Sequence, residues 1–166
     1  MQKIICLVGL CCLISCNPFA PKLNPAGLDQ LNSLGDPKTL DGFFQFFKTS
    51  YELRDTNLYG RLFAPEFRFE YYDASQGQAR TWDRATEMNT SYRMFQGVQQ
   101  INLDWNFYVQ RDSSDTSAVI VRNFNLSIVE NAQSTFNGSG RAKLKLKRAN
   151  VTLPWKAVYW FDDSDF

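Results

Sequence analysis

The most informative absence in this chain is histidine. None of its 166 residues is a histidine, which excludes Ser–His and Cys–His catalysis and removes the commonest protein ligand of zinc, copper and iron. Cysteine is scarce too, because all four cysteines lie within the first 16 residues. A basic excess is also missing, since 18 Lys and Arg residues stand against 17 Asp and Glu residues. Nucleic-acid binding requires such an excess, so we exclude nucleic acid as a partner.

Apolar residues, by contrast, are plentiful enough to build a core. Hydrophobic residues make up 44% of the chain and aromatic residues 15%, which excludes disorder over most of its length. The length itself fits one domain.

The first 15 residues have the pattern of a secretory signal. Lys3 is the only charge in this segment and precedes an apolar run at residues 4–14, as in the n-region and h-region of signal peptides. The run is shorter than the ~20 apolar residues of a membrane-spanning helix. It ends in Leu13-Ile14-Ser15-Cys16, which resembles a bacterial lipobox. The resemblance implies cleavage before Cys16 and attachment of lipid to its sulfur; the alternative is an ordinary cleaved signal that happens to contain cysteines.

This interpretation divides the chain into three parts. We predict a lipoprotein signal peptide at residues 1–15, a lipidated cysteine and flexible tether at 16–35, and a folded domain at 36–166. Several acyl chains hold a protein firmly on a membrane, so the expected location is the bacterial cell envelope. Asn17 follows the cysteine in place of the Asp that tends to retain enteric lipoproteins at the inner membrane, which favours the outer membrane.

The domain shows helical patterns first and mostly strand patterns afterwards. Asp36-Pro37 is expected to begin a helix with an apolar stripe that includes Phe43, Phe44 and Phe47. A short helix is expected at 55–63, and Asp83 is expected to cap a third. Alternating residues predict strands at 66–72, in three segments between 101 and 147, and at 154–162. This order predicts an α+β fold, with N-terminal helices packed in a strongly curved antiparallel sheet.

The order of elements resembles the nuclear transport factor 2-like fold, also called cystatin-like or ketosteroid-isomerase-like. The resemblance is carried by residues 47–67, with their Tyr51 and Ala64-Pro65-Glu66-Phe67, by the helix at 82–95 and by the closing strand from Pro154 to Trp160. It implies a cone-shaped domain, often with a pocket at its open end and often a dimer through the outer face of the sheet. Members include isomerases, dehydratases and cyclases as well as proteins that only bind or assemble, so the fold leaves the function open.

The strand positions expected to face into the cone contain no Asp or Glu. On the strand pattern that begins at residue 101 we expect Ile101, Leu103, Trp105, Phe107 and Val109 to face inward. Glu87 lies at the end of an element, where acids are commonly caps or solvated charges. We therefore predict no catalytic residue, no metal site and no cofactor.

Arg122 is the one charged residue at an inward position. Three interpretations stay open: an outward turn at a bulge, a pair with an acid such as Glu52 or Asp162, and a buried partner for an anionic ligand. Aromatic residues with polar groups could orient a ligand, and the candidate pocket residues are Tyr51, Tyr71, Trp105, Arg122, Tyr159 and Trp160.

Three functions follow as hypotheses. The first is a membrane-anchored envelope protein that binds a small apolar or amphipathic ligand, or a partner protein, without catalysis; for an amphipathic anion, Arg122 would supply the cationic spot. The second is an enzyme of the isomerase, dehydratase or cyclase kind that uses Tyr51 or Asp55 at the mouth of the cone. The third is a structural or assembly lipoprotein that forms a homodimer through its sheet.

Overall fold

The computed structural model of the chain describes residues 34–164. Cys16, the expected signal peptide and almost all of the expected tether lie outside these residues. The described helices and strands follow in the order α1 (Leu40–Glu52), α2 (Thr56–Gly60), β1 (Phe63–Asp73), β2 (Gln78–Asp83), α3 (Arg84–Gly97), β3 (Gln100–Ser113), β4 (Ser117–Asn131), β5 (Ser134–Lys147) and β6 (Lys156–Ser164).

The strands form one curved, unclosed sheet in the order β2-β1-β6-β5-β4-β3. Neighbouring strands pair antiparallel except β1 and β6, which pair parallel within the described part of the chain. The prediction of an α+β fold with helices packed in a curved sheet is confirmed. The parallel pair was not predicted, because strand alternation carries no information about which distant strands become neighbours.

Helix α1 supplies most of the core that the sheet covers. Phe43, Phe44 and Phe47 are at most 1% exposed, as their spacing predicts. The expected start at Asp36-Pro37 is wrong: Thr39 is the N-cap, and its hydroxyl accepts a hydrogen bond from the Gly42 N–H. Asp36 instead closes the preceding turn, where its carboxylate accepts from the Lys38 N–H at 3.0 Å.

The strands confirm most of the predicted alternation and depart from it in two places. Strand β2 was not predicted, because Gln78-Ala79-Arg80-Thr81 lacks apolar alternation; pairing with β1 holds it extended. In β3 the register shifts between Trp105 and Tyr108. Phe107, expected to face inward, is 67% exposed, and Tyr108 lies opposite Arg122.

Candidate functional site

A cavity of about 180 Å³ lies between α1, α3 and the curved sheet. Its walls come from both of these helices and from all six strands. They are mostly aromatic and aliphatic, with four polar side chains among them. The lining residues are Phe47, Tyr51, Phe69, Trp82, Glu87, Thr90, Ser91, Met94, Leu103, Trp105, Phe124, Leu126, Ile128, Phe136, Trp160 and Asp162.

Glu87 reaches this cavity from the first turn of α3, whose N-cap is Asp83. It is 5% exposed and accepts three hydrogen bonds. Tyr59 Oη donates at 2.8 Å, Trp82 Nε1 at 2.8 Å and Ser91 Oγ at 2.9 Å. The expectation that Glu87 is a cap or a solvated charge is therefore wrong. The acid is a buried hydrogen-bond acceptor that joins α2, α3 and β2.

The negative charge of Glu87 acts on its tyrosine neighbours. Tyr59 is fully buried, and burial together with the charge of Glu87 raises its pKa well above the usual value. The pKa of Tyr51 is raised for the same two reasons. Both phenols are therefore held in the protonated form at neutral pH.

Asp162 is the second acid of the cavity, and its environment differs from that of Glu87. It lies on β6 two residues after Trp160 and opposite Ala142, so it shares their inner face. Its Oδ1 is buried and has no hydrogen-bond partner among the described residues. The pKa of Asp162 is raised to about 6, chiefly by burial and in smaller part by the charges of Asp163 and Glu87, while a hydrogen bond with Ser164 acts in the opposite direction. A carboxyl group with this pKa titrates close to neutral pH and can exchange a proton there.

Two indole groups of the cavity wall also have unused hydrogen-bonding capacity. Trp105 Nε1 and Trp160 Nε1 are buried, and neither has a partner among residues 34–164. Phe47 packs between the two indoles, with ring centroids 5.3 Å from Trp105 and 5.4 Å from Trp160. A buried polar group without a partner is costly, and both of these nitrogens belong to side chains that line the cavity.

The predicted pocket residues divide into two groups. Tyr51, Trp105 and Trp160 line the cavity. Tyr71 lines a neighbouring groove beside the β1–β2 turn, which it shares with Asp162. Tyr159 has the opposite orientation to Trp160 on β6 and donates to Glu70 Oε2 at 3.0 Å. The structure thus brings three of the aromatic candidates together and adds two acids, Glu87 and Asp162, that were not among the predicted pocket residues.

Arg122 lies outside the cavity, near the first turn of α1. Its Nε donates to the Asn106 carbonyl at 2.9 Å and its Nη1 to Tyr108 Oη at 3.2 Å. Its guanidinium lies 4.8 Å from the Phe44 ring centroid and 4.4 Å from that of Tyr108. The partners are carbonyls, a phenol and ring faces, and neither Glu52 nor Asp162 is among them. The expectation of a cationic spot inside the cavity is therefore wrong.

Residues 34–164 contain neither a cluster of potential metal ligands nor a membrane-spanning helix. No group of three or more Asp, Glu or Cys side chains there is placed to hold a metal ion. No helix in the same range is long and apolar enough to cross a bilayer.

Comparison with known proteins identifies the fold. No family model matches the chain, and no curated protein sequence matches it. A solved nuclear transport factor 2-like superfamily protein from Salmonella enterica serovar Typhimurium superposes with a TM-score of 0.59 at 17% identity, over 80% of this chain and 92% of that one. The chain has the nuclear transport factor 2-like fold.

Two further solved structures with this fold illustrate its range. One is a protein of unknown function with a cystatin-like fold from Nostoc punctiforme, with a TM-score of 0.55 at 13% identity over 86% of this chain and 94% of that one. The other is a proposed scytalone dehydratase from Novosphingobium aromaticivorans, with a TM-score of 0.65 at 9% identity over 84% and 86%. Nuclear transport factor 2-like proteins include both binding proteins and enzymes, so at these identities the comparison shows the fold alone.

Proposed function

We propose that this protein is a lipid-anchored component of a bacterial envelope whose nuclear transport factor 2-like domain binds a small, ring-sized, largely apolar molecule without changing it. The observation that carries the binding function is the aromatic cavity between α1, α3 and the sheet. An apolar cavity of ~150 Å³ in another protein holds benzene, and this one measures about 180 Å³. It therefore has room for a monocyclic ring with a short substituent.

The polar atoms of the wall support a ligand that is not purely hydrocarbon. Asp162 Oδ1, Trp105 Nε1 and Trp160 Nε1 lack partners among the described residues. Small-molecule sites typically combine apolar walls with a few polar groups that set the orientation of the ligand. The pattern here matches that description.

Binding is tested with the full chain and benzyl alcohol as the probe, by calorimetric titration in a nonionic detergent. Leu126 lines the cavity, so Leu126→Trp should fill it and abolish binding. Ser127→Trp is the matched control, because it adds the same ring at the next residue of β4, where Ser127 lines a groove on the other face of the sheet. Equal binding by the Leu126→Trp variant and the parent would contradict the proposal.

A second candidate function, an enzyme that moves a proton, is favoured by Asp162. A carboxyl group with a pKa of about 6 is suited to general base catalysis, and the proposed scytalone dehydratase shows the same fold. The test is deuterium incorporation next to the carbonyl of cyclohexanone in D₂O, which Asp162→Asn should abolish. Exchange at the uncatalysed rate would count against this function and leave the binding function as the proposal.

The third hypothesis, assembly through the sheet, has less support. The outer face of β3, β4 and β5 carries Asn102, Asn125, Ser127 and Asn137 around an open groove. Obligate interfaces are more apolar than such a surface. A homodimer through the sheet stays a prediction, to be checked by sedimentation of the full chain.

A further inference from the structure

The charge of the cavity wall limits what can bind inside it. Glu87 contributes one carboxylate from α3 and Asp162 another from β6. Among residues 34–164, no Lys or Arg lines the cavity. Arg122, the cation expected there, has its partners near the first turn of α1. An anionic ligand would meet two acids and no compensating positive charge.

The two carboxylates differ in how well the protein itself satisfies them. Glu87 accepts hydrogen bonds from Tyr59, Trp82 and Ser91, all of them neutral donors. Asp162 has an oxygen, Oδ1, without a partner among the described residues. A buried carboxylate is costly unless a cation or several donors face it. A ligand that brings a positively charged N–H group would remove this cost.

The aromatic residues of the wall suit the same kind of ligand. Phe47 packs edge-to-face with both Trp105 and Trp160, and Phe69 stacks on Trp82 with ring centroids 4.4 Å apart. The faces of aromatic rings attract ammonium groups, and indole attracts them most strongly. The carboxylates and the aromatic rings of this cavity therefore both attract a cation.

We propose that the ligand of this cavity is a small organic cation, a protonated amine on an apolar body about the size of one ring, with its N–H group bound to Asp162 Oδ1. The inference rests on the proposed binding function and adds the charge of the ligand to it. It replaces the amphipathic anion that Arg122 suggested from the sequence.

The experiment compares three probes of nearly equal size that differ in charge: benzylamine, which is protonated at pH 7.5, neutral benzyl alcohol and anionic benzoate. Each is titrated into the full chain. We expect benzylamine to bind at least ~10-fold more tightly than benzyl alcohol, since a hydrogen bond to a charged group is stronger than a neutral one. Benzoate should not bind measurably.

Asp162→Asn should remove the preference for benzylamine, so that its affinity is no higher than that of benzyl alcohol for the same variant. Asp163→Asn is the matched control, because Asp163 is the next residue on β6, is exposed and pairs with Arg141. It removes the same charge and should leave the preference for benzylamine unchanged. Circular dichroism of both variants checks that they fold.

Each outcome separates the two proposals. If benzyl alcohol binds as tightly as benzylamine, or benzoate binds best, the inference about charge is overturned and the binding function survives. If none of the three probes binds, both are overturned. Because the probe comparison uses the unmodified chain, it decides the matter even if the Asp162→Asn variant does not fold.

Discussion

At the scale of single residues, Asp162 is a carboxyl group whose ionisation the fold opposes. Its pKa of about 6 lies roughly two units above the value of ~3.9 for an Asp in an unfolded chain. The folded state therefore binds this proton more tightly than the unfolded state does. The contribution of Asp162 to stability is fully present below about pH 4 and is lost as the pH rises through 6.

Asp162→Asn should remove this pH dependence. A shift of this size corresponds to at most ~3 kcal/mol, and partial solvation makes a smaller value appropriate. We expect the variant to be more stable than the parent by ~1–2 kcal/mol at pH 8 and equally stable at pH 4. Denaturant unfolding at several pH values measures this, with Asp163→Asn as the control. That variant keeps the buried Asp162 carboxyl and should retain most of the pH dependence, because it loses only the smaller contribution that the charge of Asp163 makes to the Asp162 pKa. A constant difference from pH 4 to pH 8 would show that the carboxyl group does not titrate abnormally.

The sequence contains a clear signal that Asp162 faces the cavity and only a weak one for Glu87. Asp162 follows Trp160 by two residues, so strict alternation along the last strand puts both on one face, although the predicted strand ended at this residue. Glu87 gave a weaker signal, because burial of a first-turn acid depends on Tyr59 and Trp82, which lie on other elements. Arg122 was predicted to be the one charged residue at an inward position, but its partners arise from a bulge in β3 that the pattern did not reveal.

At the scale of elements, one polar cluster ties the start of α1 to the sheet. Tyr108 Oη donates to Asp41 Oδ1 at 2.5 Å and accepts from Arg122 Nη1 at 3.2 Å. Arg111 also pairs with Asp41, at 3.2 Å. The pKa of Asp41 is lowered, chiefly by the hydrogen bond from Tyr108. The phenol thus connects a carboxylate on α1 with a guanidinium on β4.

Tyr108→Phe should therefore weaken the attachment of α1 to the sheet. The variant keeps the ring on which Arg122 lies but removes the hydroxyl that bridges two charged groups. We expect a loss of ~1–2 kcal/mol in the free energy of unfolding, measured by denaturant titration. Tyr92→Phe is the control, because Tyr92 on α3 is 52% exposed, and it should change the stability by less than ~0.5 kcal/mol. Equal effects of the two variants would show that the bridge contributes nothing.

Phe47 on α1 provides a test of the core itself. It is 1% exposed and its ring packs against Tyr51, Tyr59, Trp105 and Trp160. Truncating a buried Phe to Ala typically costs ~3–5 kcal/mol, so Phe47→Ala should unfold at a much lower temperature than the parent. Phe107→Ala deletes the same group from a side chain that is 67% exposed and should change little. A large effect of Phe107→Ala would mean that the alternation predicted for β3 continues past Trp105.

The elements that could be predicted are those whose signal is local. The cap of α3 at Asp83 and of α2 at Asp55, and the inward Phe67 and Phe69 of β1, all follow from residues close together in the chain. Strand β2 has no such signal and depends on its pairing with β1. The shift within β3 is likewise fixed by the packing of Tyr108 against Phe44, a contact between residues far apart in sequence.

At the scale of the whole molecule, the class of fold could be inferred, whereas the size and the full lining of the cavity could not. Helices followed by strands predict an α+β fold, and the cone with its pocket was implied only by the resemblance to the nuclear transport factor 2-like fold. A cavity, however, is volume left between α1, α3 and the sheet, and its size depends on how every side chain packs. The same limit applies to the order of strands, because the parallel neighbours β1 and β6 are separated in the chain by all the other strands.

The lipid anchor is the prediction that concerns the whole chain, and its residues lie before the described domain. If the lipobox-like Leu13-Ile14-Ser15-Cys16 is processed, the mature protein begins at Cys16 and carries acyl chains, and two or more such chains hold it stably on a membrane. Cys16→Ser should leave an unlipidated precursor of higher polypeptide mass, because the signal is not removed. Cys6→Ser, within the apolar run, is the control and should be cleaved and lipidated normally. Intact-mass spectrometry of the membrane fraction measures both, and an unmodified N-terminus beyond residue 16 in the parent protein would refute the anchor while leaving the cavity and its ligand untouched.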